Sequence, residues 1–241
     1  MSEDRLLLID GNALLYRSFY AIQRLSTSDG FPTNAIYGFL ATLRKITAEE
    51  KPRYLAVVFD TKGPTVRHGV YGAYKANRKP MPDDLVRQVP RLKEVLAAMR
   101  IPVRESEGFE ADDVLGTLAA QAARRRVPTL IVSTDKDLLQ LVGPDVSVYN
   151  PSKEVYLDPE GVRAFFGVPP EKVVDVLSLW GDSSDNVPGV PGVGEKTAKK
   201  LVEEHGSVDG LLRDLDTLKN PRLKDKIRSN LDKLEMSRKL V

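Results

Sequence analysis

The sequence predicts an α/β fold with a mostly parallel central sheet, followed by a small all-helical C-terminal domain. Three observations carry this expectation. The segments LLLID (Leu6 to Asp10), LAVVFD (Leu55 to Asp60) and TLIVSTDKD (Thr129 to Asp137) open as short apolar runs rich in Val, Ile and Leu, the composition of strands buried on both faces. Stretches of helical period separate them, so the order strand, helices, strand, helices, strand calls for right-handed crossovers. Each run also stops at an Asp, and in parallel sheets the ligand crevice lies outside the carboxyl ends of the strands.

Taken in chain order, the first strand is followed by helical patterns at Ala13–Ile22 and Asn34–Glu49, and the second by Leu85–Met99 and Ala111–Arg125. Between them, residues 62–84 (KGPTVRHGVYGAYKANRKPMPDD) carry four Gly or Pro in their first eleven positions, which predicts a long mobile loop or arch instead of a packed element. After the third strand, VSVYN and KEVYL joined at Pro151-Ser152 read as a hairpin. Short helices broken by Gly and Pro complete the chain: Pro159–Phe166, Pro170–Trp180, Lys196–His205 and Ser207–Leu215. The domain boundary is drawn at 175–176, with residues 176–241 as the helical domain.

Composition narrows the chemistry. The 241 residues are 41% hydrophobic and 29% charged, which is ordinary globular composition. The absence of cysteine excludes disulfides, thiolate zinc sites, iron–sulfur clusters and cysteine nucleophiles, and only His68 and His205 are available for histidine chemistry. No apolar run approaches the ~20 residues that span a bilayer, and acids stand near the start where a signal peptide would carry bases, so a cytoplasmic address without membrane partners is expected. The net charge of +2 conceals segregation: residues 62–104 hold ten bases and three acids, while residues 105–185 hold seven bases and fifteen acids. A basic block followed by an acidic one departs from a uniformly mixed surface.

The acids fall at element ends. They are Asp10, Asp60, Glu110, Asp112 and Asp113 in FEADDVLG, Asp135 and Asp137 in STDKD, and Asp182 and Asp185 in WGDSSDN. Any one of them could serve as a helix cap. In FEADDVLGTLAA, Glu110 and Asp113 at i and i+3 should point outward at the helix start, with Val114, Leu115 and Leu118 toward the core. Nine carboxylates gathered in one crevice would repel and need protons or cations, and an all-oxygen set favours a hard ion, Mg²⁺ or Mn²⁺. A group of this size suits two ions, the arrangement used in phosphoryl chemistry. The neighbouring basic block would collect a polyanion. Lys75 and Arg78 in YKANR stand at i and i+3 and reach one phosphate if the segment is helical, with a solvated basic loop as the alternative.

The segment NVPGVPGVGEKTAKKLVEEHG approaches a P-loop but places Glu195 between Gly194 and Lys196, and it follows a helical stretch instead of a strand. A helix-hairpin-helix fits better, since Pro-Gly turns offer backbone N–H groups and a helix N-terminus to phosphate without reading sequence. A plain glycine-rich connection between helices is the alternative. Asp10-Gly11-Asn12 lacks the second Asp of a haloacid-type phosphatase.

LIDGNALLYRSFYA, VVFDTKGPTVRH, YKANRKPMPDDL, EGFEADDVLGTLA, STDKDLLQL and LWGDSSDNVPGVPGVGEKTA together resemble, in order and spacing, the 5′ nuclease domain of bacterial DNA polymerase I and its flap endonuclease relatives. The resemblance spans nearly the whole chain. It implies a PIN-like, flap-endonuclease-like α/β domain over residues 1–175, with a helical arch at about 62–90. It also implies a divalent-metal phosphodiesterase with two or more Mg²⁺ or Mn²⁺ ions, acting as 5′-flap endonuclease and 5′-3′ exonuclease on flaps, duplex ends and RNA primers on DNA. By position the nine acids match the family's metal-site acids, and Lys75 and Arg78 its phosphate-contacting cations. Gly189, Gly192, Gly194, Lys196, Lys199 and Lys200 match its helix-hairpin-helix, where relatives can also hold K⁺. Tyr16, Arg17, Arg67 and Tyr74 are the expected contacts to the 5′ strand. Val66 departs from the aromatic usual there. The sequence ends at SRKLV, where polymerase I relatives would continue, so a free-standing monomeric nuclease and a domain tethered to a polymerase both stay open. A PIN-type single-strand ribonuclease and a non-catalytic nucleic-acid-binding module are the rival readings.

Overall fold

In the computed structural model the three apolar runs become neighbouring parallel strands. β1 (Leu6–Asp10) lies between β2 (Tyr54–Val58) and β4 (Thr129–Val132), with Leu6 opposite both Tyr54 and Thr129. β3 (Val103–Arg104) extends the sheet beyond β2, and β5 (Val146–Asn150) beyond β4. The hairpin partner β6 (Val155–Leu157) closes the edge as the antiparallel strand, giving the order β3-β2-β1-β4-β5-β6. The chain runs outward in both directions from β1, so the β1/β4 boundary is a topological switch point, where a crevice opens beyond the strand ends.

The structure describes residues 4–241 and divides into two units, Met1–Gly63 with Pro80–Asp158, and Pro64–Lys79 with Pro159–Val241. The helices in chain order begin with α1 (Gly11–Ala21), α2 (Asn34–Glu50), α3 (Val66–Val70), α4 (Asp83–Ala98) and α5 (Ala111–Arg124). All but α3 belong to the first unit. Leu7 and Ile9 pack with Leu14, Phe39, Leu43 and Leu92 in the cluster that α1, α2 and α4 make on one face of the sheet. Leu8, also buried, alternates to the other face, which α5 covers. The start of α1 is pressed against the end of β2: a Cβ on Gly11 would lie 2.6 Å from the Phe59 ring and 2.7 Å from the Val58 carbonyl oxygen.

The second unit adds α6 (Pro159–Phe166), α7 (Val173–Trp180), α8 (Glu195–His205), α9 (Val208–Arg213), α10 (Pro221–Arg228) and α11 (Leu231–Leu240). α7 is its centre, fully burying Val173, Val176, Leu177 and Leu179 against α8 and α11. That packing places residues 159–175 with the helical unit, so the contact division falls at 158–159 where the sequence reading drew it at 175–176.

The stretch expected as one long loop is partitioned. Residues 64–79 form α3 and a run of turns held in the second unit, because Tyr74 is buried with Val187 and Leu240. Residues 80–104 belong to the first unit, and α4 begins at Asp83. The basic block is therefore divided: Arg67, Lys75, Arg78 and Lys79 lie in the second unit, while Arg87, Arg91 and Lys93 ride on α4. Among the described residues no helix is long and apolar enough to cross a membrane.

Candidate active site

In the first unit the acids stand where β1, β2 and β4 end and helices begin. Asp10, the last residue of β1, caps α1: its Oδ1 accepts from the Ala13 amide at 2.9 Å. Its Oδ2 accepts from the Ser133 hydroxyl at 2.6 Å, just past β4. Ser133 Oγ in turn accepts from the Asp135 amide at 3.0 Å, so one hydroxyl ties Asp10 to the Asp135 turn. Asp135 Oδ1 accepts from the Asp137 amide at 2.9 Å, and Lys136 Nζ lies 3.7 Å from Asp137 Oδ1. Beyond β2, Asp60 Oδ1 accepts from the Ala111 amide at 2.8 Å, which couples this strand to the start of α5. The Asp60 amide donates to Asn12 Oδ1 at 3.0 Å.

At α5 the buried N-cap Glu110 and Asp113 form a capping box, with the Glu110 amide donating to Asp113 Oδ2 at 2.9 Å. Asp112 occupies the same first turn. The expectation that Glu110 points outward is corrected here: it is 3% exposed, because the inward face is Ala111, Leu115, Ala119 and Ala122 and the cap residue folds in with them. Val114 and Leu118 are only half-buried.

This packing has an electrostatic cost. Burial pushes the Asp10 carboxyl up from 3.8 to about 6, against the stabilising bonds from Ser133 and Ala13, and the charges of Asp135 and Asp60 push it further. The Asp10 carboxyl thus feels the acids that follow β2 and β4. The donor set is all oxygen, which suits a hard divalent ion, and such an ion would relieve this repulsion. Among the described residues no three acids already converge as a ligand cluster; they are turned onto amides and a hydroxyl instead. Asn12 and Ser133 escaped the sequence reading, and the available signal was their position within two residues of Asp10 and Asp135.

Asp182 and Asp185 lie in the second unit, both buried. Asp182 Oδ1 accepts from the Ser184 amide at 2.8 Å. Lys75 and Arg78 lie in the same unit but on turns, not a helix: Lys75 has φ 56°. Both are ion-paired to Asp185, so the helical i, i+3 presentation to a phosphate does not hold. Tyr74, expected as a contact to the 5′ strand, is 3% exposed, with its hydroxyl donating to Asp185 Oδ2 at 3.2 Å. Arg67 donates from Nε to the Leu240 carbonyl at 2.8 Å. In the first unit Arg17 anchors the β5–β6 hairpin by donating to Pro151 O and Ser152 Oγ, and half-buried Tyr16 packs against the main core.

The glycine-rich loop joins α7 to α8. Gly189 has φ 57°, and a Cβ there would lie 2.5 Å from the Gly181 amide nitrogen, so its role is to let two turns touch. Its own amide donates to Ser237 Oγ at 2.9 Å, which removes it from the donors open to a phosphate. Gly192, Gly194 and Lys196 are exposed, and Gly194 caps α8. Lys199 is engaged by Glu195 and lies over the Phe166 ring, and Lys200 pairs with Glu204.

A family model described as 5'-3' exonuclease, N-terminal resolvase-like domain matches residues 5–167, and one described as 5'-3' exonuclease, C-terminal SAM fold, matches residues 168–241. With acids at the switch point of a resolvase-like sheet, the chain is a nuclease by class. It belongs to the 5′-3′ exonuclease family. The 5'-3' exonuclease of Aquifex aeolicus is 45% identical over 238 residues, covering 98% of this chain and 80% of the relative. DNA polymerase I of Bacillus caldotenax is 43% identical over 241 residues, covering 98% of this chain but 28% of the polymerase. The chain therefore spans less than a third of its polymerase I relatives. Among solved structures, the T5 D15 protein co-crystallised with metal ions aligns with TM-score 0.80 at 21% identity, covering 98% of this chain and 88% of that one. The catalytic core of Rad2 in complex with DNA substrate aligns with TM-score 0.59 at 17% identity, covering 95% and 73%. At these identities the two structures support the fold alone.

Proposed function

We propose that this chain hydrolyses phosphodiester bonds at 5′ flaps and 5′ ends of duplex DNA, including RNA primers on DNA, with Mg²⁺ or Mn²⁺ held by the acids of the first unit. The observation that carries this reading is the placement of Asp10, Asp60 and Asp135 where the three parallel strands β1, β2 and β4 give way to turns and helices, tied together through Ser133 and Asn12. Bound divalent ions would supply charge neutralisation for the scissile phosphate and lower the pKa of an attacking water. The chain's own part is positional. Asp10 and Asp60 are braced by amides and by each other's neighbours, Ser133 sets the Asp10 oxygen against the Asp135 turn, and Glu110 with Asp113 fixes the start of α5. Exposed Gly194 and Lys196 at the N-terminus of α8 suit contact with a duplex phosphate, and the same loop is where K⁺ would be held. A monomer working in the cytoplasm, alone or tethered to a polymerase, fits this reading.

The test is cleavage of a labelled 5′-flap duplex by the parent and by Asp135→Asn, with Mg²⁺, with Mn²⁺ and with chelator. Cutting should need the ion and fall at least a hundredfold in the variant. Cutting that survives chelator would overturn the metal assignment. Equal cutting of unstructured RNA would favour the single-strand ribonuclease, and binding without cutting the non-catalytic module.

A further inference from the structure

Asn12 stands where the first unit gathers its acids, and only the oxygen of its carboxamide has a partner. Gly11 presses the start of α1 against the end of β2, since a Cβ there would lie 2.6 Å from the Phe59 ring, so the following residue is held at the strand ends. From that place Asn12 Oδ1 accepts from the Asp60 amide at 3.0 Å. A backbone N–H can only donate, so this bond fixes which end of the carboxamide is oxygen and leaves the NH₂ group as the other end. Among the described residues Nδ2 makes no hydrogen bond, although Asn12 is half-buried.

The neighbouring donors are already spent on acids. The Ala13 amide and the Ser133 hydroxyl donate to Asp10, the Ala111 amide donates to Asp60 Oδ1, and Lys136 lies against Asp137. Asn12 Nδ2 is thus a donor left over at the strand ends. A partly dry N–H without an acceptor costs free energy, and an acceptor brought by a ligand removes that cost. Acids that hold cations cannot themselves hold a phosphate, which needs donors. A cationic side chain beside Asp10 and Asp60 would repel a divalent ion, whereas a neutral carboxamide offers its hydrogens without that conflict.

We propose that Asn12 is a further catalytic residue, donating from Nδ2 to a non-bridging oxygen of the phosphate being cut while Oδ1 keeps the Asp60 backbone in place. The inference rests on the nuclease reading for the identity of that phosphate. A donor aimed at an oxygen on which charge builds during the reaction acts mainly in the transition state, so its loss is read in kcat more than in KM.

Two measurements test it, the first without cleavage. In the ¹⁵N-labelled parent the Asn12 side-chain NH₂ resonances are assigned through bonds and followed while a 5′-flap duplex is added with Ca²⁺ in place of Mg²⁺. One of the two proton resonances should move downfield in step with the bound fraction, as a hydrogen bond to a charged oxygen requires. This reading is made on the parent and does not depend on the stability of any variant. In the second, Asn12→Asp keeps an oxygen for the Asp60 amide and replaces the donor with an acceptor. It should bind Mn²⁺ by calorimetry at the parent's affinity or tighter, yet cut the flap with kcat lower by about tenfold or more and KM within roughly threefold. Resonances that stay at their free positions in the loaded complex, or Asn12→Asp cutting at the parent's kcat, overturn the assignment. A parent that binds the duplex but cuts no flap would refute the nuclease reading, while the resonances would still decide whether Asn12 meets the bound strand. A parent that binds no duplex overturns both.

Discussion

Asp10→Asn should make the ion-free protein more stable while abolishing its use of metal. The Asp10 carboxyl rises from 3.8 to about 6 on folding, chiefly through burial and then through Asp135 and Asp60. The sign follows from proton binding. Between pH 3.8 and about 6 the unfolded chain has released this proton while the folded one retains it, so stability falls as pH rises through that window. Above it the full penalty is present, about 3 kcal/mol, since each tenfold change in proton affinity is worth ~1.4 kcal/mol. Asparagine carries no charge, and it is as good an N-cap as aspartate, so the bond from Ala13 can be kept. In chelator at pH 7.5 the variant should therefore melt about 6–12 °C above the parent, using ~2–4 °C per kcal/mol for a chain of this length. Below pH 4 the two should melt together. The assay is a pair of melting curves at each pH by circular dichroism, and a divalent titration of both proteins at pH 7.5. Added Mn²⁺ should raise the parent's melting point and leave the variant's nearly unmoved. A variant that melts at or below the parent across the whole pH range would refute the electrostatic account of this site.

Two further outcomes follow from packing. Gln88, fully buried on α4, accepts from the Ala35 and Ile36 amides through Oε1 and donates to Asn34 Oδ1 and Asp84 O, so it caps α2 from a neighbouring helix. Gln88→Leu orphans two amides near the start of α2 and should cost about 2–4 kcal/mol by denaturant titration; a loss under ~1 kcal/mol would show that the helix is capped otherwise. Gly189→Ala combines positive φ with a Cβ 2.5 Å from the Gly181 amide nitrogen and should cost about 3 kcal/mol or more, whereas a Cβ at Gly194 meets nothing within 4 Å and Gly194→Ala should cost ~1 kcal/mol or less. Equal losses at the two glycines, read from the same unfolding curves, would contradict this distinction.

The parts of the fold legible in the sequence are those whose evidence is local. LLLID, LAVV and TLIV announce strands buried on both faces, and the Asp after each needed no partner to be recognised as the strand's end. β3 was missed because two residues carry no period. α10 and α11 were missed because Ile227, and then Leu234 and Leu240, are almost all the large apolar side chains they bury, although Asn220 before Pro221 is an N-cap signal. The local structure around the second unit's candidate residues was not legible for a related reason. Tyr74 looks like a mobile aromatic among bases until Val187 and Leu240, far along the chain, cover it. Lys75 and Arg78 look like one face of a helix, and only the left-handed backbone at Lys75 shows that they are not. Gly189 looks like a phosphate donor until Ser237 takes its amide.

Capping and the proposed metal binding, posed as alternatives for each acid, are compatible in the first unit. A helix N-terminus presents unpaired amides and the positive end of its dipole, and either feature stabilises a carboxylate placed there. Asp10 at α1, and Asp60, Glu110 and Asp113 at α5, use those amides. The fold can thus hold these acids at the strand ends before any ion is present, with burial raising the Asp10 carboxyl. It follows that alanine is a poor probe of this site, because it removes the cap together with the proposed ligand. Asn retains the capping oxygen and deletes the charge. At Asp10 and Asp60, Asp→Asn should separate the two roles, leaving the melting point in chelator equal or higher and ion affinity lower, while Asp→Ala should lower both.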